Sequence, residues 1–268
     1  MNKAPSRKSV KVRLSSVANS IRLLIAFAGE ADELGISALA NRLGLAKSTV
    51  HRLAATLTVA RFLEQNPDTG KYRLGLALFE LGALVRRRMD VANEARPQLR
   101  QLMEQLGETV QLGVIDHLSV LYINRMESRQ AIRMAANVGS RAPLHCTAVG
   151  KALIAFQPPE LVKQVLDLGL AAYTPRTITK REALLAELAE VRARNVAIED
   201  EESERGLRCI AAPIRNYAGA VVAALGVAAP VQRMSKRAMK TRAPTVIAAA
   251  DAVSARLGYP RAQAGAGS

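Results

Sequence analysis

The sequence predicts an α+β chain in two parts, and three features carry that prediction. Residues 37–74 run as helix, glycine turn, basic polar helix, then two short strands around a Pro–Gly turn. Beyond residue 90, paired apolar runs that read as hairpins alternate with helices. Positive charge is concentrated at the front of the 268 residues, with 15 Lys and Arg against 6 Asp and Glu in 1–89, and 23 against 17 in 90–268. The excess per residue is about threefold higher at the front, and a basic N-terminal third is the footprint of a phosphate-binding surface.

The first block spans residues 14–74. Val17, Ile21, Leu24 and Ala28 form an apolar stripe on an opening helix, with Ser16 as its N-cap. A second helix runs from Ser37 to Leu43, and Gly44 supplies the backbone freedom for a steep turn. In the third helix Val50, Leu53 and Leu57 face a core, while Ser48, His51, Arg52 and Ala55 share the opposite face. Such a helix fits a major groove, where arginine forks onto guanine and a serine hydroxyl reaches a base or a phosphate. Lys47, Ser48 and Thr49 occupy its first turn, where unpaired amides and the positive end of the helix dipole favour a phosphate. Arg61–Glu64 and Tyr72–Leu74 read as a hairpin around Asn66–Lys71, a wing. This order is that of a winged helix-turn-helix. Its expected duplex-DNA contacts are Ser37, Lys47, Ser48, Thr49, His51, Arg52, Lys71 and Arg73, with Ser48, His51 and Arg52 best placed for base edges.

Residues 75–89 read as a connecting helix that is too apolar for a solvated linker, so it packs against a second copy; Arg86–Arg88 touch DNA, touch the second domain or end the helix in solvent. Residues 90–260 form the second domain. A helix (91–106) leads into strands 109–115 and 120–126 around Asp116-His117. Helices follow near 147–156, 160–168 and 180–194, then strands 210–214 and 220–227 around a turn at 216–219. The last helix runs from about 233 to 257, with Pro244 as a break or kink. Met1–Arg13 and Gln263–Ser268 read as disordered ends.

Composition removes several classes of function. Aromatics are 3% of the chain with no Trp, against single-strand binding by base stacking. Cys146, Cys209 and three scattered histidines make neither a disulfide framework nor a metal site. There is no glycine-rich phosphate loop and no nucleophile elbow, and no cofactor is called for. No apolar run reaches membrane-spanning length and the N-terminus lacks a signal peptide's apolar stretch, so the expected location is the cytoplasm. Two rivals stand beside the regulator: a thiol redox enzyme using Cys146 or Cys209 with His145, and a nonspecific DNA-organising protein.

Several motifs then occur in order: Leu39-Ala40-Asn41-Arg42-Leu43-Gly44-Leu45 with Lys47–Leu53; Tyr72-Arg73-Leu74-Gly75; Val138–Ala152; and Glu201-Glu202 with Gly206–Pro213. With these the chain resembles the IclR (isocitrate lyase regulator) family of bacterial transcription regulators, from about Ser16 to Tyr259. The resemblance implies a winged helix-turn-helix joined by a helix to a GAF-like effector-binding domain. It also implies homodimers, often dimers of dimers, palindromic operators, and a small organic acid that alters DNA binding. Carried over residue by residue, the effector site is Ala148 and Val149 through backbone N–H groups, with Glu199, Cys209, Gly226 and Ala228. Members that bind very small keto acids have aspartate where Glu199 stands and serines where Gly226 and Ala228 stand. Two lost hydroxyls predict a larger or more apolar effector, an aromatic or branched acid. From the residues themselves, 199–202 reads equally as a solvated acidic loop, and a one-residue slip puts Asp200 at the pocket. Lys151 reads as a surface or capping lysine, and Cys209 as a pocket-wall thiol or an inert buried one.

Overall fold

The computed structural model describes residues 16–27, 32–87, 90–127 and 137–260. Its backbone divides into two units at Arg88/Met89. The expected disordered ends, Ala28 and the Arg86–Arg88 side chains lie outside the described residues.

The first unit holds α1 (Ser16–Ile25), α2 (Ile36–Leu43), α3 (Lys47–Val59), β1 (Leu63–Gln65), β2 (Tyr72–Leu74) and α4 (Leu76–Arg87). Gly44 closes α2 in the left-handed conformation, φ 66°, which lets the chain reverse into α3 without the steric cost a Cβ would impose. The core gathers Leu23, Phe27, Leu39, Leu43, Val50, Ala54, Leu63 and Tyr72. On α3 the expected inward stripe is centred on Val50 and Ala54, with Leu53 and Leu57 half-buried at its margins. On α1 the reading of the stripe needs correction. Leu23 is inside, whereas Val17, Ile21 and Ile25 form a row on the exposed side. Ser16 is the first helical residue and not the cap. Arg22 donates to the Leu43 carbonyl at the end of α2 (2.8 Å), and Arg42 donates to the Ala26 carbonyl (2.8 Å). Both arginines are thereby committed to helix ends. The wing pairs Leu63 with Leu74 and Glu64 with Arg73, and Leu34 adds an antiparallel bridge to Tyr72 that the sequence pattern did not announce.

The second unit is a six-stranded antiparallel sheet with helices on both faces. Its elements are α5 (Asp90–Leu106), β3 (Thr109–Asp116), β4 (Ser119–Met126), β5 (Arg141–Pro143), α6 (Ala148–Ile154), α7 (Pro159–Asp167), α8 (Arg181–Arg194), β6 (Ala197–Asp200), β7 (Leu207–Arg215), β8 (Val221–Pro230) and α9 (Lys236–Arg256). The strand order is β5-β4-β3-β8-β7-β6. Alternation along β7 and β8 splits the core in two. Cys209, Ala211, Ala224 and Ala228 pack with α6, α7 and α8, whereas Ile210, Ala212, Leu225 and Val227 pack with α5 and α9. Small residues on the α6 side let that helix approach the sheet closely. The last helix starts at Lys236, capped by the Ser235 hydroxyl accepting from the Ala238 amide (3.1 Å), and runs unbroken through Pro244. The edge strands β5 and β6 are the elements the sequence reading did not resolve.

Candidate functional site

Two sites emerge, one in each unit. In the first, the buried side of α3 fixes what its other side presents. Lys47, Ser48, His51, Arg52 and Ala55 are exposed, and Thr49 is half-buried. The side chains of Ser48, His51 and Arg52 make no hydrogen bond or ion pair among the described residues. Ala46, which precedes α3, has no side-chain oxygen to cap it, so the Lys47 and Ser48 amides stay available among the described residues, whereas the Thr49 amide donates to the Ala46 carbonyl (3.0 Å). Ser37 is exposed in the first turn of α2, and Lys71 is exposed on the wing. Arg73 differs from Lys71: its guanidinium donates to the Glu64 carboxylate (3.0 Å) across the wing. The wing turn is held from outside by Glu33, which accepts from the Asn66 amide (2.9 Å) and the Thr69 hydroxyl (3.2 Å); the Asn66 bond leads in pulling the Glu33 carboxyl below its ordinary range.

In the second unit, a cavity of about 210 Å3 opens between the β3–β5 side of the sheet, the start of α6 and the 201–207 turn. It is lined by Gln111, Tyr122, Ser140, Arg141, Ala142, Pro143, Thr147, Tyr173, Glu199, Ser203, Glu204 and Leu207. Of the six carried-over effector residues, Glu199 alone is in this lining. Asp200 is instead paired with Arg208 and Arg176. Glu199 is 2% exposed. It accepts the Ala148 amide (3.1 Å) on one oxygen, and the Ser203 amide (3.2 Å) and hydroxyl on the other. The Ala148 donor expected to hold an effector's carboxylate is therefore occupied by the chain's own carboxylate. Burial pushes the Glu199 carboxyl up, against the pull of those hydrogen bonds.

The other residues lie behind the cavity wall. Val149 inserts between two glycines of neighbouring strands. A Cβ on Gly113 or on Gly226 would each stand 2.7 Å from one of its methyls. The volume that a missing Gly226 side chain was expected to free is thus filled by Val149. We expect Gly226→Ser to lose about 1–3 kcal/mol by overpacking, and Val149→Ala to restore part of that loss in the double variant. Urea unfolding of the four proteins checks it; a fully stable single variant would show that α6 has room to move. Ala228 faces Cys209 in register, and the Cys209 thiol is 3.9 Å from the Gln111 amide. Burial pushes the Cys209 thiol far up and the Cys146 thiol up to about 12, so neither carries a nucleophilic thiolate.

Lys151 corrects the sequence reading outright. It is fully buried, with Nζ donating to Glu202 (2.6 Å) and Glu187 (3.0 Å). Burial raises the Glu202 carboxyl to about 7 despite the ammonium beside it, and its second oxygen has no partner among the described residues. Sequence reasoning also missed Gln111, Tyr122 and Ser203. A polar Gln111 amid the apolar run 109–115 was the available signal.

A winged helix-turn-helix with an exposed basic helix, and a second unit with a cavity of mixed polar and apolar lining, define a DNA-binding regulator. The comparisons agree. Residues 16–67 match the IclR helix-turn-helix domain, and residues 83–255 match the bacterial transcriptional regulator IclR C-terminal domain. The chain belongs to the IclR family of transcriptional regulators, which are not enzymes. It is 38% identical to the HTH-type transcriptional regulator KdgR of Escherichia coli over 247 residues, covering 92% of this chain and 94% of that one. It is 35% identical to the E. coli regulator XynR over 248 residues, covering 92% and 98%. Among solved structures, an IclR homolog from Microbacterium hydrocarbonoxydans complexed with 4-hydroxybenzoate superposes with a TM-score of 0.83 at 30% identity, covering 91% of this chain and 99% of that one.

Proposed function

We propose that this regulator binds an inverted-repeat operator as a homodimer and that a small organic acid, seated in the cavity of the second unit, alters that binding and so controls a catabolic gene set. The observation that carries the DNA part is the free Ser48–His51–Arg52 face of a helix pinned from behind by Val50 and Ala54. Base edges are read by that face; Lys47, Thr49, Ser37 and Lys71 meet phosphates and set the register. Two copies place their recognition helices in major grooves about 10 bp apart. The exposed apolar residues of α1 (Val17, Ile21, Ile25) and α4 (Leu76, Phe79, Leu81, Leu84) supply a surface for the second copy. The acid reading is supported by the relative that holds 4-hydroxybenzoate and by the mixed polar and apolar lining of the cavity. An acid changes operator affinity only through unequal affinity for the two arrangements of the DNA-reading units.

The test is operator binding by the full chain, using the intergenic DNA beside its own gene and a scrambled control, with and without candidate acids. Footprinting should show two protected half-sites, and affinity should fall steeply with salt. Equal affinity for operator and scrambled DNA would leave only the nonspecific DNA-organising reading.

A further inference from the structure

The acid-effector reading leaves the negative charge of the ligand without an obvious counter-ion, and the cations near the cavity account for themselves one by one. Arg141 is spent on the β3–β4 turn, where it pairs with the Asp116 carboxylate and donates to the Asp116 carbonyl (2.9 Å) and the Ser119 hydroxyl (2.7 Å). Lys151 is held by Glu187 and Glu202. The start of α6 is closed by Glu199.

Arg125 on β4 is different. It stands directly opposite Gln111 on β3, so both side chains are on the same face of the sheet as the Gly113–Tyr122 pair. That is the cavity face: Gln111 and Tyr122 both line the cavity, and Arg125 stands next to them, outside the lining itself. The Arg125 side chain is 5% exposed, and its Nε and Nη1 atoms are buried with no hydrogen-bond partner among the described residues. Its one ion-pair contact among the described residues is a long one, 3.4 Å from Nη2 to the largely exposed Glu127. A buried guanidinium with orphaned donors is among the most expensive groups a fold can carry. Beside it, the Tyr122 hydroxyl has no partner among the described residues, and the Gln111 amide has only the weak contact with the Cys209 thiol.

Resting on the acid-effector reading above, we propose that Arg125 is the effector-binding residue that receives the ligand's carboxylate, with Tyr122 and Gln111 completing its hydrogen bonds. The ligand class follows from the other end of the cavity. Glu199 offers a second acid group no cation, while its carboxyl oxygens accept hydrogen bonds, so the site takes a monocarboxylic acid that carries a hydroxyl away from its acid group. Burial keeps the Tyr122 phenol protonated, as a donor to that carboxylate must be.

The experiment uses the full chain, wild type and Arg125→Met, Arg125→Lys and Tyr122→Phe. Thermal melting is followed with millimolar acetate, pyruvate, succinate, benzoate, 4-hydroxybenzoate and gluconate, and calorimetry with whichever acid stabilises the wild type most. We expect a hydroxylated monocarboxylate to stabilise the wild type and succinate not to. Its affinity should fall about tenfold to a hundredfold in Arg125→Met, the scale of a lost charged hydrogen bond, and less in Arg125→Lys and Tyr122→Phe. Arg125→Met should melt no lower than wild type, because a poorly paired buried charge is being removed, and should bind operator as wild type does. The neutral amide of the same acid should not bind the wild type, which tests the charge without any substitution. Equal acid affinity in wild type and Arg125→Met, or binding of the amide, overturns the assignment while leaving an effector site in place. No stabilisation by any acid overturns the acid-effector reading itself, and a destabilised Arg125→Met whose stability Arg125→Lys restores, with acid affinity unchanged in the lysine variant and in Tyr122→Phe, marks a structural arginine.

Discussion

Lys151→Ala should cost about 3–5 kcal/mol of folding stability, the scale of breaking a buried ion pair from one side. The ammonium is the cation facing Glu202 and Glu187, and it also draws on Glu199 and Cys146. Without it, the buried Glu202 carboxylate, already lacking a partner on one oxygen, has no cation among the described residues to offset its desolvation. Lys151→Met, which nearly keeps the volume, should lose almost as much, showing that charge and not packing dominates. Lys151→Met with Glu202→Leu should recover much of the loss, because well-packed apolar replacements of buried pairs are often close to neutral. The same group sets a pH dependence. The folded-state value of Glu202 is about 7, above its ordinary 4.5, so the folded chain binds its proton more tightly than the unfolded chain does. Stability from this group is therefore complete below the unfolded value and is lost as pH rises through about 7. Urea unfolding between those limits should show the wild type weakening as pH rises and Glu202→Gln responding less. A flat wild-type profile, or a fully stable Lys151→Ala, would remove the triad from the stability of this unit.

Why Lys151 escaped sequence reading is instructive. Every residue of α6 is buried, and a lysine amid Ala, Val, Gly and Leu was a visible anomaly. Its partners, however, stand 36 and 51 residues away, and no local pattern links them. Elements with a strong period were legible: the α3 stripe, the 109–126 hairpin, the heart of the second hairpin at 210–227, and the α8 and α9 helices. The α1 stripe was misread because Val17 and Ile21 obey helical spacing as well as Leu23 does, and spacing alone does not say which apolar side meets α3. Strands β5 and β6 have three and four residues, too short for alternation to register. The cavity was legible only at Glu199. Gln111, Tyr122 and Arg125 come together through cross-strand register, which has a bulge at Leu112/Gly113 that no reading of periodicity supplies.

On the DNA side the largest expected loss is from Arg52→Ala. Arg52 is exposed, without partners among the described residues, and one turn from Ser48 on the same face of α3. A guanidinium that forks onto a guanine contributes about 1–3 kcal/mol of discrimination, and an operator with two half-sites presents that contact twice. Competition binding should therefore show weaker operator affinity and relaxed preference at one base pair of each half-site, with unfolding stability unchanged. Lys71→Ala should act differently. Lys71 is an exposed wing cation with no ion pair among the described residues, so its loss should weaken all duplexes alike and flatten the salt dependence by roughly one counter-ion per copy. Arg73→Ala separates the two kinds of wing residue, because Arg73 is already neutralised by Glu64 and should change affinity less than Lys71→Ala does. An Arg52→Ala protein that keeps both affinity and base preference would shift the reading of sequence to His51 and Ser48. An Arg73→Ala effect larger than that of Lys71→Ala would mean that Glu64 releases the arginine when DNA binds.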